Sequence, residues 1–160
     1  MNRRSLSAEA LNAPDKDVRT STSRVSDRWT IICLVLGVNN ILFGLWMLIA
    51  PAHWYYNLPA NVPAFGPLNY HFIRDIGCVF FLLGIGLIFA GLYLPYRLPL
   101  FTMNAAFYFL HMLVHVFEIV SGRVRASMFW IDLPLVYVPT IIILILNVYL
   151  MKQFRNKPSL

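Results

Sequence analysis

The chain has 160 residues and a net charge of +6; 59% of the residues are hydrophobic and only 12% are charged. Soluble domains carry roughly a quarter of their residues as charged side chains, so the composition excludes an ordinary soluble protein and points to an integral membrane one. The basic excess does not signal nucleic acid, because it is spread over the chain ends and connections rather than gathered on one face.

Residues 1–28 are polar, rich in Ser and Thr, and without apolar periodicity, and they read as a disordered cytoplasmic tail. Four apolar stretches follow, at approximately 29–50, 71–94, 99–121 and 128–151. Each reaches the roughly 20 helical residues needed to cross a hydrocarbon core of about 30 Å. A single such stretch could be a buried soluble helix, but four filling most of a short chain predict an all-α, up-down four-helix bundle in a membrane. The first stretch is longer than a signal-peptide core and has no small-residue cleavage site before Pro51, so it is expected to stay in the bilayer.

Span one carries Gly37, Asn40 and Gly44 at i, i+3 and i+7, and span two carries Gly77, Gly84 and Gly91 at intervals of seven, with Arg74 and Phe81 on the same seam. Small residues on one face let two helices approach closely. Asn39 points away from that face and needs its own partner. Cys33 and Cys78 lie at different depths, too far apart for the roughly 7 Å that a disulfide allows, and are expected to be free, buried thiols.

The connection from Pro51 to Tyr70 holds Pro51, Pro59, Pro63 and Pro67 with Trp54, Tyr55, Tyr56 and Phe65. Four prolines predict a stiff, non-helical segment, either an interfacial loop or a lid. Pro95 and Pro99 bracket an expected tight turn at Tyr96–Leu98, and Ser121–Ser127 forms a second short turn. Pro134 and Pro139 are expected to kink span four, and residues 152–160 form a C-terminal tail.

Arg3, Arg4, Lys16, Arg19, Arg24, Arg28, Arg97, Lys152, Arg155 and Lys157 fall on one side of this plan, ten against the two residues Arg123 and Arg125 on the other. By the positive-inside rule both termini are cytoplasmic, and the basic ends also suit anionic headgroups.

Span three carries the most informative pattern. Asn104, Tyr108, His111, His115 and Glu118 are spaced 4, 3, 4 and 3 residues apart, which sets them on one helical stripe. Ionisable groups at bilayer depth are costly and mark functional sites. From the helical rise, His115 and Glu118 stand about 24 and 28 Å up span three, level with Arg74, Asp75 and Asp132 of the neighbouring spans. Asn40 is level with His111, while His53 and His71 lie at the outer surface. Asp75, Glu118 and Asp132 against Arg74 leave a net negative cluster with neutral histidines. Protonated histidines, protonated carboxyls or a bound divalent cation would relieve it.

His111 and His115 at i, i+4, with Glu118 one turn on and Asp75 from span two, make a candidate metal set for zinc, copper(II) or iron. Haem clamped by His71 and His115 ranks below it. The same groups also suit acid–base work on a lipid or quinone, or a structural network with an Arg74–Glu118 or Arg74–Asp132 ion pair. At such a site His111, His115 and Glu118 are ligands or proton carriers, Arg74 holds a carboxylate or an anionic substrate group, Asp75 orients His71 and Tyr108 donates a hydrogen bond. A third reading is a subunit or assembly factor of a membrane complex. Nothing supports nucleophilic catalysis, since no Ser or Cys stands beside a His on the stripe.

The segment Gly66-Pro67-Leu68-Asn69-Tyr70-His71-Phe72-Ile73-Arg74-Asp75-Ile76-Gly77 resembles a block in small bacterial four-span membrane proteins. Over residues 30–150 the plan is similar to the DoxX-like group. That resemblance implies a bacterial inner-membrane location and an association with quinone-coupled redox systems, and it assigns no catalytic residue.

Overall fold

The computed structural model describes residues 27–156. Expectations for residues 1–26 and 157–160 therefore lie outside the described residues. Four long helices run antiparallel in chain order as a bundle: α1 (Arg28–Ile49), α3 (Tyr70–Leu92), α4 (Leu94–Val120), and a last span made of α5 (Met128–Asp132), a π-helical turn (Leu133–Tyr137) and α6 (Val138–Arg155). All four spans are long and apolar enough to cross a membrane. Exposed Ile, Leu, Val and Phe side chains cover their outer faces, as a lipid-facing surface requires. The protein is a multi-pass membrane protein.

α1 starts on a capping box. The Asp27 carboxylate accepts from the Thr30 backbone N–H, and the Thr30 hydroxyl accepts from the Asp27 N–H. α1 and α3 then meet along the glycine seam. A Cβ on Gly44 would stand 2.7 Å from both Gly77 O and Phe81 N, and one on Gly84 would stand 2.7 Å from Gly37 O. Backbones this close leave no room for a methyl group, which is why the seam is built of glycine.

The first connection departs from the sequence expectation, because most of it is helical. Pro51 opens a short helix, α2 (Pro51–Asn57), and Val62–Phe65 forms a 3₁₀ turn. Proline breaks a helix interior but is favoured at the first helical position, where its missing N–H has no partner to lose. The turn between spans two and three also moves. α4 begins at Leu94 rather than at Pro99, the break falling at Tyr93. Pro95 is tolerated in the first turn, and Pro99 loses only one interior hydrogen bond. α6 continues to Arg155, so Lys152 to Arg155 belong to the helix rather than to a tail.

In span four the two prolines produce a π turn. The Val138 N–H reaches back five residues to Leu133 O. Residues five apart on an α-helix point about 140° away from each other; the wider π turn brings Tyr137 back to the side of Asp132, and both are buried. Both cysteines are free, but only Cys33 is buried; Cys78 faces outward.

The end of the bundle that carries the described chain ends is closed by polar contacts. Near the chain termini Trp29 Nε1 donates to Gln153 Oε1 at 2.8 Å, tying α1 to α6. Arg97, read from the sequence as a connection charge that sets topology, is instead 1% exposed. Its Nε and Nη2 donate to Ala90 O and Gly91 O, the last carbonyls of α3, at 3.1 and 3.2 Å. Its Nη1 reaches Asp27 Oδ2 at 2.7 Å and its Nη2 reaches Thr30 Oγ1 at 3.3 Å. One guanidinium thus satisfies orphan carbonyls of α3 and holds the N-cap of α1.

Candidate functional site

The polar stripe of α4 faces the bundle interior over its lower part and meets α1 and span four there. Tyr108 donates to Asn40 Oδ1 at 2.7 Å, so Asn40 is held across the α1–α4 gap. Asn104, one turn below Tyr108, is buried and its amide nitrogen has no hydrogen-bond partner among the described residues. Thr140 of α6 places its hydroxyl 2.6 Å from Val136 O and 3.4 Å from Tyr108 O.

The centre of the site is an imidazole–carboxylate pair. His115 Nδ1 lies 2.8 Å from Asp132 Oδ2, with the His115 side chain 14% exposed and that of Asp132 fully buried. The carboxylate selects the tautomer. With Asp132 ionised, Nδ1 carries the proton and donates it, leaving Nε2 as the basic nitrogen. His111 stands beside His115, ring centroids 4.7 Å apart, and stacks in turn on Phe107 at 6.0 Å. Phe65, from the 3₁₀ turn of the first connection, packs its ring 5.0 Å from that of His115. That turn is anchored by the Tyr55 hydroxyl, which donates to Gly66 O at 2.6 Å. The connection thus reaches the site through one contact, Phe65 against His115.

Two buried oxygens at the site have no partner among the described residues: Asp132 Oδ1 and the Tyr137 hydroxyl. The π turn is what brings them to one side. A buried polar atom left unpaired costs about 1–3 kcal/mol, so these are the groups with most to gain from a ligand's hydroxyl or carbonyl.

Other residues expected at the site are elsewhere. His71 and Asp75 pair with each other at 3.4 Å, and the His71 side chain is 91% exposed. Arg74 donates from Nε to Leu48 O at 3.3 Å, on the α1–α3 seam. It forms neither of the ion pairs considered, because Asp132 is taken by His115 and Glu118 by Arg123, at 3.1 Å. Among the described residues no group of three His, Cys, Asp or Glu side chains is placed to hold a metal ion. The set His111, His115, Glu118 and Asp75 does not assemble, since two of its carboxylates are committed to other partners. The His71–His115 haem clamp fails on the same ground, His71 being turned to the surface.

No known protein family, curated protein or solved structure matches this chain.

Some site residues were not visible in the sequence pattern. Thr140, Tyr137 and Phe65 had no periodic signal, because the first two depend on the π turn and the third arrives on a connection. For Tyr137 the paired prolines at 134 and 139 were the available hint, since they mark where the α-helical register fails.

Proposed function

We propose that this protein binds a lipid-soluble molecule with a hydrogen-bonding head, a quinone or a lipid, at the Asp132–His115–His111 cluster and exchanges a proton with it. The observation that carries this reading is the fully buried Asp132 carboxylate held 2.8 Å from His115 Nδ1. In a low-dielectric interior such a pair is a strong orienting device. It holds His115 with a base directed away from Asp132, and His111 stands next in line to pass a proton on. Asp132 Oδ1 and the Tyr137 hydroxyl supply an acceptor and a donor for the ligand's head. The apolar tail would leave between the spans into the bilayer, from which the ligand is drawn. Proton transfer by a positioned imidazole needs no nucleophile, in keeping with the absence of Ser or Cys on the stripe.

The location we propose is a bacterial inner membrane with both termini cytoplasmic, supported by nine basic residues on that side, besides the enclosed Arg97, against two on the other. The site then lies in the extracytoplasmic half, where a quinone or lipid head is found.

The test is the full chain purified in mild detergent, its organic extract analysed by mass spectrometry and its metals by elemental analysis. A quinone or single lipid species at near-stoichiometric amount, lost in Asp132→Asn and His115→Ala but kept in Arg123→Gln, is the expected result. Extracts that match the bulk membrane in every variant overturn the reading. A stoichiometric metal that disappears in the His111→Ala/His115→Ala double variant replaces it with a metal site.

A further inference from the structure

α1 carries two adjacent asparagines with opposite surroundings. Asn40 is buried and bonded to Tyr108, whereas Asn39 is exposed and has no hydrogen-bond partner among the described residues. Asn39 lies about 16 Å along the helix, at the middle of a hydrocarbon core of about 30 Å. Lipid tails offer its amide neither a donor nor an acceptor, so a polar group there calls for a protein partner. Val35, Asn39, Leu42, Trp46 and Ile49 are spaced 4, 3, 4 and 3 residues apart and share one face. Asn39 also lines a shallow surface groove with Leu34, Val35, Val38 and Leu42. The opposite face of α1 is occupied by α3 along the glycine seam.

We propose that a second copy of this chain docks on this face, with the two Asn39 amides pairing across a two-fold axis normal to the membrane. Three features select a second copy as the occupant. A primary amide carries both a carbonyl and an NH₂, so it is complementary to itself, and a two-fold axis sets identical residues opposite each other. The spacing averages 3.5 residues, the repeat of two helices packed knobs-into-holes, and one Asn among apolar seam residues fixes register and favours a pair. No charged residue occurs between Trp29 and Ala52, so two identical faces do not repel each other. The proposal is independent of the ligand reading above, whose residues lie on α4 and span four.

The experiment uses the full chain, labelled with donor or acceptor dyes, in vesicles of neutral phospholipid at decreasing protein-to-lipid ratio. Energy transfer should fall with dilution as a dimer dissociates. Asn39→Leu should raise the dissociation constant by roughly threefold to thirtyfold, the worth of one interhelical hydrogen bond in a membrane, while Asn39→Gln keeps most of the association. The Leu side chain faces lipid, so loss of the fold does not confuse the result. Asn39→Cys in a Cys78→Ser background should give a cross-linked dimer on mild oxidation, and Ile145→Cys, on another exposed face, should not. A protein that is monomeric at every density overturns the proposal. So does a dimer that Asn39→Leu leaves unchanged, or one that cross-links through Ile145 instead.

Discussion

His115 Nδ1 and Asp132 Oδ2, 2.8 Å apart, join two successive spans through residues 17 positions apart in the chain, and the ring of Phe65 packs edge-on against His115. The Asp132 side chain is fully buried and that of His115 14% exposed, so the two halves depend on each other more than a surface pair would. Removing one partner strands the other. His115→Ala should cost about 3–5 kcal/mol, the range for breaking a buried pair, whereas Asp132→Asn keeps the shape and one hydrogen bond and should cost less. Arg123→Ala breaks the more exposed Glu118 pair and should cost under about 1 kcal/mol. Thermal unfolding of the three variants in one detergent checks the order. A loss for Arg123→Ala as large as for His115→Ala would refute the assignment of the buried pair.

Arg97 is the second buried ionic centre, and its geometry predicts that charge alone cannot replace it. Four acceptors are met by one planar guanidinium. Lys presents a compact ammonium that cannot reach all of them. Arg97→Lys should therefore recover only part of the stability lost in Arg97→Met, as read by unfolding midpoints. Full recovery by Lys would mean that position in the chain, not the bonding pattern, is what matters.

The same latch carries a pH dependence. Burial works against the Asp27 carboxylate, but hydrogen bonds from Arg97 and Thr30 and the guanidinium's charge outweigh it, holding the pKa below the ordinary 3.8. A carboxyl with a lowered folded pKa stabilises the fold fully above its unfolded value and loses that contribution as pH falls through the folded one. Stability should accordingly be flat in this respect at neutral pH and decline below about pH 4. Asp27→Asn should be less stable at pH 7 and should lose less on acidification over the same window. Parallel pH curves for the two proteins would remove Asp27 from the account.

The glycine seam predicts a contrast between two alanine substitutions. At Gly44 a methyl group meets Gly77 O and Phe81 N at 2.7 Å, both backbone atoms that cannot move without parting α1 from α3. Gly44→Ala should destabilise by about 1–3 kcal/mol, the usual range for overpacking. At Gly86 the nearest neighbour is the end of the Leu100 side chain at 3.7 Å. Gly86→Ala should be neutral or stabilising by up to about 1 kcal/mol, because alanine is the better helix former. Unfolding of both variants under one condition decides it.

Much of the architecture was legible in the residue order because the bilayer imposes a local rule. Every backbone polar group must be satisfied within its own segment, so an apolar run of about 20 residues becomes a helix whatever surrounds it. The four spans, the glycine face of α1 and α3, and the single helical stripe of Asn104, Tyr108, His111, His115 and Glu118 follow from periodicity alone; only the lower part of that stripe is buried. Partner choice did not follow. Depth arithmetic set Arg74, Asp75, Glu118 and Asp132 at one level, yet equal depth leaves the rotation of each helix open. Rotation turns His71, Arg74 and Asp75 away from the site and gives Asp132 to His115. Arg97 is the same lesson at the other end. A cation in a connection counts for topology in the sequence, but only packing shows that it is enclosed by the end of α3 and the start of α1. The π turn at Leu133–Tyr137 is likewise a tertiary decision, since the prolines mark a broken register without saying which side chain the break carries inward. Helix identity is set by segment composition against the membrane; the site is set by how those helices are rotated against one another.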